Sequence, residues 1–277
     1  MKVTFHLHLL SSFLQKGKRA INTFRGKLLK HFGVTKNGFV VWRGPSPETG
    51  EPLVAIVTGV RKASANGKTG WMHQLWILRA DIPPHEAFQR GLDAATCGDC
   101  IHSGHRLGTC YVRTSEAPLA VWRAYHRGSY PVLGTDEAAE LLTELHQPIR
   151  LGAYGDPAMV PFEIVEALAL ASPGWTGYTH QFRKPWFDKR FLTLTMVSLE
   201  GNGQTLPTGA RSFRVVGSVA DVRKGEILCP ASDEAGQKSS CAKCKLCAGS
   251  LRRAKPVAIV GHGKATKKLL RYLEVVA

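Results

Sequence analysis

Seven cysteines carry the chemistry this chain could do, and their spacing divides them into two groups: Cys97-x2-Cys100-x9-Cys110, and Cys229 with Cys241-x2-Cys244-x2-Cys247. An odd number of cysteines, four of them inside residues 229–247, is not what a disulfide framework requires, whereas thiolates at short spacing suit metal chelation. The second group supplies four thiolates, a full ligand set for a [4Fe-4S] cluster or a tetrahedral zinc ion. A C-x2-C-x2-C run with a distant Cys229-Pro230 has the composition of ferredoxin ligation, while zinc sites more usually pair two C-x2-C knuckles. Iron-sulfur is therefore the expected occupant and zinc the alternative. The first group offers three thiolates. A cluster held by three leaves one iron open to a substrate or cofactor, as catalytic zinc keeps an open position. A zinc site closed by His102 or His105 competes with this reading. A third arrangement pairs Cys97/Cys100 with Cys241/Cys244 as one zinc ribbon and leaves three cysteines unexplained.

Both groups need a scaffold, and hydrophobic periodicity supplies one. Short β-like runs at Gly38–Trp42, Leu53–Val60 and Trp71–Leu78, separated by turn-rich segments, suggest a small antiparallel sheet. Pro83-Pro84 breaks the chain before a Gly-rich stretch without regular structure from Thr96 to Cys110. Helical patterns at Leu119–Arg127 and Asp136–Leu145, with Thr135 a candidate N-cap, lead to a strand at Ile149–Tyr154 and a helix at Val160–Ala171. Strands follow at Thr176–Thr179, Leu192–Leu199, Phe213–Gly217 and Val257–Val260, then a closing helix at Lys264–Val275. Repeated strand and helix imply parallel strands joined by crossover helices. The expected fold class is α/β: a basic arm over 1–32, a small β region over 33–82, and a partial, open (βα) barrel over 83–277 carrying both cysteine loops. In such a barrel the working groups sit just past the C-terminal ends of strands. Gly155-Asp156-Pro157, Tyr178-Thr179-His180-Gln181 and Gly261-His262-Gly263 hold those positions. Asp156 either accepts a hydrogen bond from a ligand amine or ribose, or caps the helix that follows.

Charge adds a partner class. The net charge of +16 comes from two acid-free segments, seven Lys/Arg in residues 1–30 and nine in 241–271; elsewhere basic and acidic residues balance. These segments could face the phosphates of a nucleic acid, or act as solubilising faces. No run of about 18 apolar residues appears, so no membrane partner is expected. Cysteine usage points to a reducing compartment, the cytoplasm.

The Cys-rich loop ending in Cys110-Tyr111, the strand running into Gly155-Asp156, the Tyr178-Thr179 strand end, Cys229-Pro230 before Cys241-x2-Cys244-x2-Cys247, and the final strand ending in Gly261-His262 form an ordered series over residues 90–265. In this series the chain resembles the phage and plasmid gene product 88 proteins and, more distantly, radical S-adenosylmethionine (radical SAM) enzymes. The resemblance implies an enzyme in which Cys97, Cys100 and Cys110 hold three irons of a [4Fe-4S] cluster while S-adenosylmethionine takes the fourth and is cleaved by one electron. It also implies that Cys229, Cys241, Cys244 and Cys247 hold an auxiliary cluster. Asp156 and His180 are then the candidate catalytic residues, and Asp156 and Tyr111 the candidate cofactor-binding ones. The substrate implied is a nucleic acid or a molecule associated with one. A zinc-stabilised nucleic-acid-binding protein without activity is the alternative.

Overall fold

A computed structural model describes residues 23–62, 66–200, 204–263 and 265–276. Most of the predicted basic arm lies outside these residues. Its described end, a helix over 23–31 (α1), is no free arm: Leu29 is buried in the main core, and Arg25 Nε donates to the Val60 carbonyl at 2.6 Å.

One open sheet of nine strands organises the protein. Strands β1 (Gly38–Pro45), β2 (Pro52–Thr58) and β3 (His73–Arg79) pair antiparallel. Strand β3 then pairs parallel with β4 (Ile149–Tyr154). Beyond β4 come β5 (Trp175–Thr179), β6 (Met196–Glu200), β7 (Ser212–Val216) and β9 (Val257–Val260), all parallel, with the two-residue β8 (Ile227–Leu228) at the far edge. The expected separate β region over 33–82 is thus the antiparallel flank of this sheet. The reason is β3, whose seven residues are all buried and which pairs on both sides. The expected strand over 192–199 is also corrected. Phe191–Leu194 form a helical turn (α7), because Phe191 packs edge-on against Phe162 at 5.2 Å, and the strand starts only at Met196.

Period-two alternation divides the sheet's side chains between two cores. Ala55, Val57, Leu75, Ile77 and Leu151 meet α1, α5 (Thr135–Leu145), α6 (Phe162–Leu170) and α7. Right-handed crossovers between neighbouring parallel strands place their helices on one face, and α5, α6 and α7 share this core as that rule requires. On the other face Val54, Ile56, Trp76, Leu78 and Tyr154 pack with Val121 of α4 (Ala117–His126) and with Cys97. Cys97 therefore packs on the face opposite α5, α6 and α7, with α4 of the same β3–β4 connection. No helix among the described residues is long and apolar enough to cross a membrane.

Candidate metal centres

The first cysteine loop is more structured than its glycines suggest. Helix α2 (Pro84–Gln89) precedes it, and the four-residue α3 (Ala94–Cys97) opens it. Cys100 N bonds the Cys97 carbonyl at 3.0 Å, Ser103 N the Cys100 carbonyl at 3.1 Å, and Cys110 N the His102 carbonyl at 2.9 Å. The nine-residue spacer is taken up by these turns, which return Cys110 to the Cys97/Cys100 pair. The wholly buried Asp93 carboxylate holds the turns from inside, accepting from Gly104 N at 2.7 Å, His105 N at 3.1 Å and His105 Nδ1 at 3.0 Å. That partner holds the His105 ring through Nδ1 and leaves its Nε2 unengaged by Asp93.

Two strand ends fasten the loop. Asp156 N bonds the Thr96 carbonyl at 2.8 Å. Buried Gln181 donates to the Cys97 carbonyl at 2.8 Å and to Asp156 Oδ2 at 3.0 Å, and accepts from Asp99 N at 3.0 Å. Gly98 passes beneath this amide at φ 47°, where a Cβ would fall 2.1 Å from Gln181 Oε1. Asp156 takes the capping role of its two expected ones. Its carboxylate accepts from Ala158 N at 3.0 Å, Thr179 Oγ1 at 3.2 Å, His180 N at 2.8 Å and Gln181, which spends it inside the protein. These bonds make it a brace between β4 and β5.

The three thiols of this loop act on one another electrostatically. Burial, then the neighbouring Cys100 thiolate, pushes Cys97 well up and Cys110 up to about 12. Thiolates crowded in an apolar wall need a cation's charge, and a bound metal would supply it. Beside them lie two histidines and a carboxylate. His180 Nε2 is 3.0 Å and His102 Nε2 3.4 Å from the same oxygen, Oε1 of buried Glu200 at the end of β6. Burial opposes the charge on His180, but the Cys100 thiolate and then Glu200 raise its pKa well above the usual value. Burial likewise opposes ionisation of Glu200, and the charge of His180 with the two imidazole hydrogen bonds overrides it, so the carboxyl titrates far below its ordinary range.

The second group assembles between the sheet edge and the loop joining β2 to β3. Cys229 extends β8, its N bonding the Ala258 carbonyl at 2.8 Å. Cys241–Cys244 form a single helical turn (α8) that ends at Lys245 in a left-handed conformation, φ 51°. Backbone bonds from Cys241 N to Lys68 O and from Ala242 N to Thr69 O, each 2.9 Å, fasten this turn to the β2–β3 loop, and Cys247 O accepts from Gly177 N of β5 at 2.8 Å. The thiols sit against Met196, Tyr178, Val257 and Ile259. Burial raises Cys229 and Cys241 and pushes Cys247 up to about 12, with the other thiols of the same group contributing.

Each group therefore gathers its own members, and the cross-paired zinc ribbon finds no support in this grouping. Arg150 of β4 faces both sets. Burial opposes its charge while Tyr111, Tyr178 and Cys241 hold its pKa up, and it in turn lowers Cys110 and Cys241. Its guanidinium donates to the Tyr111 hydroxyl, and the Tyr111 ring lies 5.6 Å from that of His262. Tyr111, half exposed, thus joins the first loop to the end of β9.

Asp93, Arg150 and Glu200 are the site residues that sequence reasoning missed, while Gln181 it placed on the rim without a task. Glu200 carried one usable sign, a polar residue closing an apolar strand at the rim where His180 also falls. An open pocket lined by Trp175, Lys245 and Arg252 lies at the N-terminal end of β5, and none of the seven cysteines lines it. No protein-family model, curated protein or solved structure matches the chain.

Proposed function

We propose that the chain is an iron-sulfur enzyme of radical SAM type, with Cys97, Cys100 and Cys110 holding a [4Fe-4S] cluster and Cys229, Cys241, Cys244 and Cys247 a second one. The observation that carries this reading is the unequal pair of thiol sets. The three-thiol set lies where β4, β5 and β6 end, against Gln181, His180 and Glu200, and the four-thiol set stands off at the sheet edge. The parallel run β3-β4-β5-β6-β7-β9-β8 of one unclosed sheet supports the reading, for which we propose the curvature of a partial barrel.

The donor chemistry fits the groups implied. All seven thiols are free, and most are driven up by burial and by one another, a penalty a metal relieves. When bound, the three-thiolate cluster would bind S-adenosylmethionine and supply the electron for its cleavage. The chain's own residues then have distinct tasks. Gln181 and Asp156 fix the cysteine loop on the strand ends, α4 and the Trp76/Tyr154 wall exclude water from beneath it, and Arg150 places positive charge between the two sets. Lys243, Arg252, Arg253, Lys267, Lys268 and Arg271, within or after the second cysteine run in the chain, are exposed and suit a nucleic-acid substrate.

Anaerobic purification tests the reading. The protein should be brown and hold roughly eight irons per chain with matching sulfide. After reduction it should convert S-adenosylmethionine to 5'-deoxyadenosine. A colourless chain with stoichiometric zinc would leave the zinc-stabilised nucleic-acid binder in its place.

A further inference from the structure

We infer that His102, His180 and Glu200 form a mononuclear site for a divalent first-row cation, zinc or ferrous iron, whose ligands belong to neither cysteine set. Two imidazoles and one carboxylate with open positions are the ligand set of hydrolytic zinc sites and of non-haem iron sites. The three donor atoms lie within 4.8 Å of one another. Both Nε2 atoms converge on one carboxylate oxygen at 3.0 and 3.4 Å. Donors about 2.1 Å from a common ion stand roughly 3.0–3.4 Å apart in tetrahedral or octahedral geometry, so the site needs little movement to close on one.

A second observation points the same way. His102 Nδ1 is 2.8 Å from Thr109 Oγ1, and Thr109 is itself buried. A metal-binding imidazole commonly donates its other ring N–H to an outer partner, which fixes the tautomer and turns the lone pair toward the ion. Thr109 Oγ1 can accept from Nδ1–H, and in that tautomer a bound cation takes the Nε2 lone pair where Glu200 would otherwise accept from Nε2–H. The placement is also that of a working site: His180 follows β5, Glu200 closes β6, and His102 comes from the cysteine loop. His180 also meets the Cys100 thiol, so the ion would sit beside the first cysteine set.

Cobalt(II) binding to the full-length, anaerobically purified protein after a mild chelator wash tests the site, because cobalt X-ray absorption is read independently of any iron. One cobalt per chain should bind with nitrogen or oxygen scatterers at about 2.0–2.1 Å. Affinity should fall at least tenfold in Glu200→Gln and His180→Ala and stay unchanged in Cys247→Ser. Thr109→Val keeps all three ligands and the fold, and should still weaken binding by about tenfold through His102. A cobalt shell of sulfur alone at about 2.3 Å, or binding indifferent to both Glu200→Gln and Thr109→Val, would overturn the site in favour of a plain hydrogen-bonded cluster. Iron and sulfide measured on the same samples report separately on the cysteine sets.

Discussion

Replacing Gln181 by glutamate changes one group and should unfasten the first cysteine loop. In the native protein the amide nitrogen donates to the Cys97 carbonyl at 2.8 Å and to Asp156 Oδ2 at 3.0 Å, with no exposure to water. In Gln181→Glu an oxygen faces those two acceptors. Two hydrogen bonds contribute about 1 kcal/mol each, and a buried carboxylate beside another costs a further ~1–3 kcal/mol. The expected loss is therefore about 3–5 kcal/mol at neutral pH, a large share of a typical domain's stability. Crowding against Asp156 raises the new carboxyl's pKa in the folded state above its unfolded value near ~4.3. Once protonated it can donate one hydrogen bond as the amide did, so the penalty is least below pH about 4 and grows as pH rises. Urea denaturation of both proteins from acid to neutral pH measures this difference, and metal content at neutral pH should fall with it. A penalty under about 1 kcal/mol at pH 7, or one that does not shrink on acidification, would refute the bracing role of Gln181.

Other residues give equally direct tests. Burial, with the charge of Arg25 adding to it, pushes the His73 imidazole down to about 3. The unfolded chain takes up that proton near pH 6.5 and the folded one does not, so stability should fall by about 1.4 kcal/mol per pH unit as pH drops from 6.5 towards 3. His73→Leu should flatten that slope in urea titrations, and an unchanged slope would remove His73 as its source. Cys247→Ser should empty the second thiol set while leaving the metal of the first, as read by metal content; loss of all metal would mean a shared site. Gly98→Ala places a methyl 2.1 Å from Gln181 Oε1 at a positive φ. It should lower the melting temperature and the metal content of the first set, and a variant indistinguishable from the native protein would show that the loop is loosely held.

Much of the fold was legible because it is written locally. Strands β4 and β9 fall within their predicted bounds, whereas α5 starts one residue early: Gly134, not Thr135, is the N-cap, because Glu137 reaches back to Gly134 N at 2.8 Å. Thiol spacing divides the cysteines in the same way as their electrostatic influence on one another does. What depends on distant partners was hidden. The apolar run through Leu192 reads as strand, and only packing on α6 curls its first residues. Arg150 sits in an ordinary strand pattern, and its role comes from Tyr111, Tyr178 and Cys241, all remote in sequence. Glu200 gains meaning only once the sheet sets β5 and β6 side by side.

The fastening of the cysteine loops also fixes when metal can arrive. Gln181 braces Cys97 from 84 residues downstream, and Lys68, beside the second set, meets His262 across 194. A ribosome adding about 5–20 residues per second exposes the first three cysteines several seconds before the amide that shapes their loop. The β2–β3 loop waits longer still for the turn at Cys241. Neither set is closed by its neighbours in the chain, unlike a zinc finger whose ligands and fold arise together. On the proposed iron-sulfur reading, metal loading is thus a late step on a nearly complete sheet, and a nascent chain stalled before β5 would hold its first three thiols without the amide that shapes their loop.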